Sequence, residues 1–551
     1  MSAYANIRFL RGRLKLICVR ATFLFVDLFS LNFLILLATT FTLFYVVRGL
    51  NKLAKKVIIP QWSVLLVASL AFYGLSNWVY LVYLGASSLV SYLAALLTQH
   101  RLFQKESFSQ GEVVEYDLHP TFIESHTERR FYENFVTGVA VLVNVAALAI
   151  LKYYNFFAGS VNSLFHLSLT TYNFIIPLGI SFYTFSLIAY NVDCCKRDTI
   201  AEKNLLKFLL FVSYFPKILQ GPISSYDTLK QDGLFGEHGF TETEYLKPLF
   251  RISIGLIKKI AIANVLNLYV NASYANLENQ FGGSLLLTSL LYTIQLYCDF
   301  SGFADITIGI SGLFGIRLEE NFDTPYLSSS IQDFWRRWHI TLGTWLKKYI
   351  YIPLGGNRVP IWRWVINTLI VWLVSGLWHG ANWTFIVWGL YHGVLLVLCG
   401  LPRVIKKAGG GPILEKEPKP VLRILSIVGT FLFVNFGWVL FRSNTITEAA
   451  RFGWHMIRFW IPSSYSVFAD ATVSKANGLF VLALVMVAVL VGLKFLLERK
   501  DKWMGKNKHY QFVETSSLFS LTVVFVSVSI FVFMFLNSVG GSESAFIYFD
   551  F

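Results

Sequence analysis

The chain has 551 residues, of which 55% are hydrophobic and only 14% carry a charge. Because soluble domains average about 25% charged residues, this composition excludes an ordinary soluble globular protein. The net charge is +15, yet the basic residues are scattered among apolar runs, which excludes a dedicated nucleic-acid-binding surface. Loops rich in lysine and arginine on the cytoplasmic side of a membrane account for such a charge.

Apolar segments long enough to cross a bilayer recur from one end of the chain to the other. A helix needs about 20 apolar residues to span the hydrocarbon core, and the sequence lacks the alternating polarity of barrel strands. It therefore predicts an all-α polytopic membrane protein of roughly 10 to 12 transmembrane or re-entrant helices. In chain order, the apolar segments are 23–47, 62–83, 85–97, 135–151, 174–192, 205–221, 251–269, 284–297, 362–374, 384–401, 422–441, 477–497 and 517–536.

The polar segments give few signals of chemistry. The loop 99–134 contains His100, His119 and His126, which could form a metal site or a partner-binding loop. Their spacing fits no zinc pattern, and a solvated loop explains them without any site. The five cysteines show no disulfide or metal spacing, so we expect no metal. No cleavable signal peptide is evident in the basic N-terminal segment.

Three basic clusters set the predicted orientation of the second half of the chain. They lie at 336–363, 402–423 and 499–508, and the positive-inside rule places all three in the cytoplasm. An even number of apolar segments separates each pair, so the assignment is self-consistent and leaves 537–551 outside the membrane. The predicted domains are an N-terminal basic extension at 1–22, a transmembrane domain at 23–538 and an extracytoplasmic aromatic tail at 539–551.

Two carboxylates, Asp299 and Asp305, interrupt a run that is otherwise apolar and small. An ionisable residue in membrane-type sequence is costly, so each is a functional-site hypothesis. On a helix they would project about 120° apart, which excludes a carboxylate pair facing each other. Either could orient a histidine or pair with a basic residue. A cation-coupled transporter could also use them, and this is the rival hypothesis.

The segment 331–350 is predicted to be a single amphipathic helix. On it Trp335 and His339 share one face at i, i+4 spacing. Two neighbouring faces each carry an arginine and a lysine, which gives the helix a basic side at the cytoplasmic surface. That side could hold lipid headgroups or the phosphates of a nucleotide-bearing cofactor. The four cations are Arg336, Arg337, Lys347 and Lys348.

A second histidine, His379, lies between two apolar runs. A neutral imidazole in a desolvated site is a competent general base. A histidine that merely hydrogen-bonds a neighbouring helix explains the position equally well. His392, in the following apolar segment, is predicted to be structural. If the helix continues through this motif, the face of His379 also carries Trp372, Ser375, Gly376 and Trp383.

Long motifs between Gln295 and Trp383 resemble the core of the membrane-bound O-acyltransferase (MBOAT) family. They are DFSGFADITIG at 299–309, GIRLEENFDTPYLSSSIQDFWRRWHITLGTWLKKYIYIPLGGNR at 315–358 and SGLWHGANWTF at 375–385. These motifs are long and keep their order, so the resemblance is specific.

Two upstream motifs fit the same family, PLGISFYTF at 177–185 and YFPKILQGPI at 214–223. The segment YIPLGGNR at 351–358 is typical of one branch of the family. That branch contains the membrane subunits of bacterial alginate, peptidoglycan and cellulose O-acetylation.

The resemblance implies roles for particular residues and a shape for the fold. His379 takes the place of the family's catalytic histidine, and His339 that of its second conserved polar residue. Acyl transfer needs a base for the attacking hydroxyl and donors for the oxyanion; His339 or the indole of Trp383 is the expected donor. The resemblance also implies an outer funnel and a cytoplasmic channel that meet at a thin membrane core.

We therefore expect an O-acyltransferase of the bacterial cytoplasmic (inner) membrane. It would pass an acetyl group from cytoplasmic acetyl-CoA toward hydroxyls of an extracytoplasmic polysaccharide, through a periplasmic or surface acetyltransferase partner. No permanently bound cofactor is expected. The alternatives are D-alanyl or lipid acyl transfer within the same family, and a transporter of polysaccharide or small molecules without covalent chemistry.

The C-terminal tail carries one more candidate, Tyr548, in the aromatic sequence SAFIYFDF. The 12 residues from Leu536 to Tyr548 can extend at most about 40 Å, against about 15 Å for half a bilayer core. Tyr548 could therefore reach His379 and accept the acyl group transiently, since a phenol loses its proton more readily than a sugar hydroxyl. The tail also resembles the aromatic C-terminus of the small partner in teichoic-acid D-alanylation, which favours a docking peptide as the alternative.

Overall fold

The computed structural model describes residues 30–108, 121–218, 220–236, 238, 246–408, 420–470 and 473–503. Within these ranges the chain is helical, and β-type pairing is limited to an isolated antiparallel bridge between Phe322 and Trp338. The all-α prediction is therefore confirmed. The chain divides into a first unit, Met1–Phe240 with Ser311–Leu318, and a second unit, Thr241–Ile310 with Glu319–Phe551.

Seven helices in the described part of the chain are long and apolar enough to cross a membrane. They confirm the prediction of a polytopic membrane protein. The predicted apolar segment 517–536 lies outside the described residues. The seven are Leu31–Ala54, Trp78–Gln99, Arg130–Phe165, Ile361–His379, Trp383–Pro402, Pro420–Arg442 and Ser474–Gly492.

The first unit is an assembly of helices in which α2 packs against α1, α3 and α7, and α3, α4 and α6 pack against one another. A π-helical turn, Ala149–Tyr153, joins α4 to α5 without a break. The α-helices of this unit are α1 (Leu31–Ala54), α2 (Gln61–Ser76), α3 (Trp78–Phe108), α4 (Thr121–Leu148), α5 (Tyr154–Phe165), α6 (Ile180–Lys196), α7 (Leu205–Ser213) and α8 (Tyr226–Gln231).

Asn77 interrupts a segment, 62–83, that the sequence predicted as one span, and that prediction is wrong. α2 ends before Asn77, whose backbone is extended, and α3 begins directly after it. The side-chain oxygen of Asn77 accepts a hydrogen bond from the amide of Val79 at 3.0 Å. Asparagine is among the best residues for starting a helix in this way.

Two helices of the first unit are shorter than predicted. A glycine delays the start of α6, and a proline lies just beyond the early end of α7. α6 begins only after Gly179, which has a left-handed backbone (φ +66°). A Cβ on Gly179 would lie 2.6 Å from the carbonyl oxygen of Ile218, so only glycine fits there. α7 ends at Ser213, shortly before Pro216, rather than at residue 221.

The second unit contains the residues for which the sequence predicts chemistry. Two of its helices continue into π-helical turns: the turn Ile257–Ala263 follows α9, and the turn Lys347–Tyr351 follows α13. The α-helices are α9 (Leu246–Leu256), α10 (Asn264–Ala275), α11 (Gly283–Leu313, whose last three residues belong to the first unit), α12 (Ile331–Arg337), α13 (Ile340–Leu346), α14 (Ile361–His379), α15 (Trp383–Ala408), α16 (Pro420–Arg442), α17 (Ile446–Met456) and α18 (Asn477–Trp503).

Glycines bring α9 and its π-helical turn against α11. A Cβ on Gly255 would lie 2.6 Å from the carbonyl oxygen of Gly302, and a Cβ on Gly309 would lie 2.8 Å from that of Pro248. Small residues permit this close approach of helices in membranes, where packing rather than the hydrophobic effect drives association. Polar side chains of the two elements therefore come within bonding distance.

α14 and α15 form a helical hairpin that also depends on glycine. A Cβ on Gly376 would overlap the carbonyl oxygen of Phe385, and one on Gly389 would overlap that of Trp372. α16 packs on α15, and α12 packs on both α15 and α16. The buried core between these helices is rich in large aromatic side chains, and it holds the candidate site.

Candidate active site

The two carboxylates of α11 pair with lysines of the adjacent π-helical turn. Asp299 forms an ion pair with Lys259, and the Lys258 ammonium lies 2.6 Å from an oxygen of Asp305. The aspartates project about 120° apart from α11, and two consecutive lysines reach both. The sequence left open whether these carboxylates orient a histidine or pair with a basic residue, and the structure shows the pairs.

Both ion pairs are largely removed from solvent. The side chains of Lys259 and Asp299 are only 3% and 2% exposed. Asp305 is 14% exposed and also bonds Arg251 at 3.0 Å, and Arg251 in turn pairs with Glu320. A buried charge is tolerated only beside its partner, so these pairs hold the π-helical turn against α11. A cation-coupled transporter would need carboxylates open to a cargo cation, and both are occupied by lysine.

The predicted single helix over 331–350 is wrong, because the chain breaks at Trp338 and His339. Trp338 is extended, and His339 has a left-handed backbone (φ 46°). The break is stabilised from outside, since the amide of Ile340 donates to the carbonyl oxygen of Asn321 at 3.0 Å. A left-handed backbone costs a non-glycine residue about 1–3 kcal/mol, and such strain concentrates at functional sites. The predicted shared helical face does not exist.

Asn321 also fixes the ring of His339. Nδ1 of His339 lies 3.1 Å from Oδ1 of Asn321, which accepts hydrogen bonds from the amide and hydroxyl of Thr341 at 3.2 Å and 2.9 Å. Because this oxygen is an acceptor, Nδ1 carries the proton and Nε2 presents a lone pair. Burial lowers the pKa of His339, which lies outside the seven candidate spans, to about 3. The neutral ring can therefore accept a hydrogen bond at Nε2 but has no second N–H to donate.

The four predicted donor-binding cations do not lie along one helix. Arg336 and Arg337 end α12, and both bond Asp333, at 2.7 Å and 3.1 Å. Lys347 and Lys348 begin the π-helical turn beyond α13. Burial raises the pKa of Asp333, but hydrogen bonds from the two arginines outweigh it and hold that pKa below its usual range. The ionised Asp333 therefore neutralises one of the two arginine charges.

His379 is the last residue of α14, and a glycine ends the helix there. Gly380 is extended, and a Cβ on it would lie 2.5 Å from the ring of Phe385. Asn382 then starts α15 by accepting a hydrogen bond from the amide of Thr384 at 3.1 Å. His379 is 6% exposed and lies at the C-terminal end of α14.

Aromatic rings connect the two histidines. The ring centroid of Trp378 lies 5.8 Å from that of His339 and 4.9 Å from that of His379. On its other sides, His379 contacts Trp388 at 4.9 Å and Phe441 at 5.2 Å. The structure thus brings the two sequence-predicted histidines together around one indole. An enclosure of this kind excludes water and strengthens every polar interaction inside it.

Two tryptophans with predicted polar roles differ in position. The ring centroid of Trp335 of α12 lies 4.5 Å from that of Trp372 and 4.8 Å from that of His392, so Trp335 packs α12 against α14 and α15. Trp383 begins α15 and is 47% exposed. The predicted face shared by Trp383 and His379 is wrong because α14 ends at His379. A half-exposed indole is a poor oxyanion donor, since such donors act best in a site without water.

His392 is completely buried, 5.2 Å from Trp388 and beside Gly437. A Cβ on Gly437 would lie 2.5 Å from Nε2 of His392, so the glycine makes room for the imidazole. This packing favours the structural role predicted for His392.

Comparison with known proteins places the chain in a family. Residues 196–401 match the family described as MBOAT, membrane-bound O-acyltransferase family. The peptidoglycan O-acetyltransferase of Helicobacter pylori is 30% identical over 538 residues, which cover 91% of this chain and 93% of that protein. The chain belongs to the membrane-bound O-acyltransferase family. Its predicted resemblance is confirmed, and membership favours acyl transfer over the transporter hypothesis.

The matches to two further relatives cover a smaller share of this chain. The probable alginate O-acetylase AlgI of Pseudomonas aeruginosa is 39% identical over 321 residues, which are 57% of this chain and 58% of that protein. The match thus spans less than two thirds of the length of that relative. The teichoic acid D-alanyltransferase of Bacillus subtilis is 31% identical over 292 residues, covering 49% of this chain and 69% of that protein.

Part of the predicted site lies beyond the described residues of the chain. Tyr548 and the rest of the aromatic tail are outside them, as are residues 109–120 with His119. The remainder of the predicted loop 99–134 is helical, because α3 continues to Phe108 and α4 begins at Thr121, so the loop prediction is wrong there. Sequence reasoning in turn missed several residues of the second unit. Two lysines inside an apolar run are a recognised signal of function or pairing in membranes, whereas no local signal points to the others. The missed residues are Lys258, Lys259, Asn321, Asp333 and Trp388.

Proposed function

We propose that this protein is an O-acetyltransferase of the bacterial cytoplasmic membrane. It passes an acetyl group from cytoplasmic acetyl-CoA toward hydroxyls of an extracytoplasmic polysaccharide, through a periplasmic or surface acetyltransferase partner. The observation that carries the proposal is the enclosed His379, joined through Trp378 to His339, whose Nε2 is a hydrogen-bond acceptor. Relatives named for O-acetylation of alginate and of peptidoglycan support acetyl as the group transferred.

The chemistry needs few groups. His379 takes the proton of the attacking hydroxyl as its oxygen bonds to the thioester carbon, and the carbonyl oxygen becomes an oxyanion. When the oxyanion collapses, the carbon–sulfur bond breaks and the imidazolium returns the proton to the departing thiolate. Before the attack, His339 accepts a hydrogen bond from the incoming hydroxyl at Nε2, because its Nδ1 is already committed to Asn321; this guides the hydroxyl toward His379, which takes that same proton as the carbon–oxygen bond forms.

The cytoplasmic cations would hold the donor. Arg336 is 77% exposed, and Lys347 is exposed at the start of its π-helical turn. Phosphate groups of acetyl-CoA are ligands that arginine and lysine bind well. Arg337 and Lys348 lie beside them and are less exposed. Lipid headgroups carry the same phosphate chemistry, so donor binding has to be separated from lipid binding by its effect on KM.

Purified protein in liposomes with radiolabelled acetyl-CoA tests the proposal. We expect release of the CoA thiol to fall about 10²–10⁴-fold in His379→Ala, with insertion and thermal stability preserved. His339→Asn should also lose most activity, because asparagine tolerates the left-handed backbone but lacks the acceptor at that position. His166→Asn is the matched control, since His166 is likewise left-handed (φ 54°) but exposed in the first unit.

Each outcome of that assay is informative. Full activity in His379→Ala would refute the assignment of the base. A wild-type protein that neither consumes the thioester nor becomes labelled would be an exporter and would refute acyl transfer. D-alanyl transfer is the second candidate, on the strength of the Bacillus relative. Turnover of a D-alanyl thioester in preference to acetyl-CoA would select it, and turnover of long-chain acyl-CoA would select lipid acylation.

The tail adds a step to the proposal: Tyr548 accepts the acetyl group and hands it to the partner. Its phenol oxygen bonds to the thioester carbon while His379 takes the phenol proton, and the aryl ester then acylates the partner's nucleophile. A docking peptide is the alternative role for the tail. Mass spectrometry of the C-terminal peptide, after incubation with acetyl-CoA and no acceptor, should find acetyl on Tyr548. Full polymer acetylation by Tyr548→Phe would leave docking alone.

A further inference from the structure

One buried donor beside His379 has no partner among the described residues. Trp388 of α15 is 1% exposed, and its indole Nε1 forms no hydrogen bond within that part of the chain. Leaving a buried N–H unsatisfied destabilises the folded protein, so such a group requires an explanation. The position of the ring supplies one, because its centroid lies 4.9 Å from that of His379, in an edge-to-face arrangement.

The surrounding rings fix this indole in place. Trp438 stacks on it at 6.0 Å with an interplanar angle of 19°, and Phe441 packs against it at 5.3 Å. His392 lies on a further side at 5.2 Å. A donor held by packing on several sides does not have to move when charge develops next to it, so no reorganisation energy is lost. Oxyanion stabilisation requires such a fixed donor.

The other expected oxyanion donors are less suitable. His339 is neutral with its proton on Nδ1, directed at Asn321, so it has no N–H for a substrate. Trp383 is 47% exposed and begins the helix after the turn. The indole of Trp335 also lacks a partner within the described chain, but its ring contacts His392 rather than His379. Trp388 alone among these four combines burial, an uncommitted donor and contact with His379.

We propose that the indole N–H of Trp388 donates a hydrogen bond to the thioester carbonyl oxygen of the acyl donor, and that this bond strengthens as the oxygen becomes an oxyanion. The inference rests on the proposed acyl transfer and names a catalytic group for it. While the hydroxyl oxygen bonds to the carbonyl carbon and His379 takes its proton, the carbonyl π electrons move onto the oxygen that Trp388 binds. They return when the carbon–sulfur bond breaks, and the thiolate takes the proton from His379.

Replacing the N–H by sulfur tests the proposal without changing the shape of the ring. β-(3-Benzothienyl)alanine at position 388, introduced by genetic-code expansion, keeps the bicyclic ring and removes the donor. We expect kcat for acetyl-CoA in proteoliposomes to fall about 10²–10³-fold, as for loss of one oxyanion donor, with KM changed less than about twofold. The thermal midpoint should stay the same or rise, because a buried unsatisfied donor has been removed.

Two comparison sites make the result decisive. The same replacement at Trp62, in the first unit and beneath the Lys207 ammonium at 5.9 Å, should leave kcat unchanged. The same replacement at Trp378, whose ring adjoins both histidines, tests the neighbouring indole. Unchanged kcat at position 388, or a loss confined to position 378, would overturn the proposal while wild-type turnover keeps the acyltransferase. A wild-type protein that does not turn over acetyl-CoA would overturn the proposed function, and this inference with it.

Discussion

Removing either member of the Lys259–Asp299 ion pair is expected to destabilise the protein strongly. Both side chains are at most 3% exposed, so Lys259→Met leaves a buried carboxylate and Asp299→Leu leaves a buried ammonium. An uncompensated buried charge costs about 3–5 kcal/mol, a large share of the about 5–15 kcal/mol that stabilises a typical protein. The double variant buries no charge at this place, and we expect it to recover most of the loss, because apolar residues often replace a buried pair without cost.

Cys298 offers a reporter for this measurement, since it is buried and adjacent to Asp299. With the other cysteines replaced by serine, a thiol-reactive dye follows the opening of this region as detergent-solubilised protein is heated. Both single variants should open at a much lower temperature than the wild type. The double variant should open at a temperature close to that of the wild type. The exposed pair of Arg451 and Glu278 is the control, because such pairs contribute at most about 1 kcal/mol. Single variants as stable as the wild type, or a double variant no better than the worse single, would refute the reasoning.

Three further predictions concern the donor cations and the helical hairpin. Reversing charge in Arg336→Glu/Lys347→Glu should raise KM for acetyl-CoA several-fold, and added salt should raise it in the wild type, since exposed charges are screened; an unchanged KM would favour lipid headgroups. Asp333→Asn should instead lower KM, because it releases two arginines from their internal partner, and a raised KM would contradict donor binding there. Gly376→Ala should abolish folded protein, because the new Cβ would clash with the backbone of α15. Gly429→Ala on α16, where a Cβ meets no atom within 4 Å, should be tolerated. Equal expression of the two variants as folded protein would be inconsistent with the hairpin.

The membrane helices were predictable from the sequence because the bilayer leaves the backbone little choice. Apolar segments such as 362–374, 384–401 and 422–441 became α14, α15 and α16 with shifted ends, since an unpaired peptide group in lipid costs several kcal/mol. The break at Asn77 also had a local signal, an asparagine directly before an apolar run. Composition and capping together therefore account for most of the helical architecture.

The break at His339 had no such signal. The helical periodicity continues through this segment, and the groups that stabilise the break belong to Asn321, 18 residues earlier in the chain. The same limit applies to Trp388 and Trp383, both of which follow His379 closely. Only the position of the turn between α14 and α15 decides which indole is buried against the histidine, and that depends on the fit of Gly380 beside Phe385.

The ion pair of α11 and the candidate site are parts of one arrangement. Phe300 follows Asp299 on α11, and its ring lies 4.7 Å from that of His339 at an interplanar angle of 89°. The pair with Lys259 fixes how α11 is rotated against its neighbour, and that rotation determines where Phe300 points, since successive helical residues lie about 100° apart. The structure thus pairs Asp299 with Lys259 and places it directly before the residue whose ring packs edge-to-face on His339. An apolar pair in place of Lys259 and Asp299 would pack as well as the ion pair. It would, however, specify the rotation of α11 less well, which is an argument for the ion pair despite the cost of burying its charges.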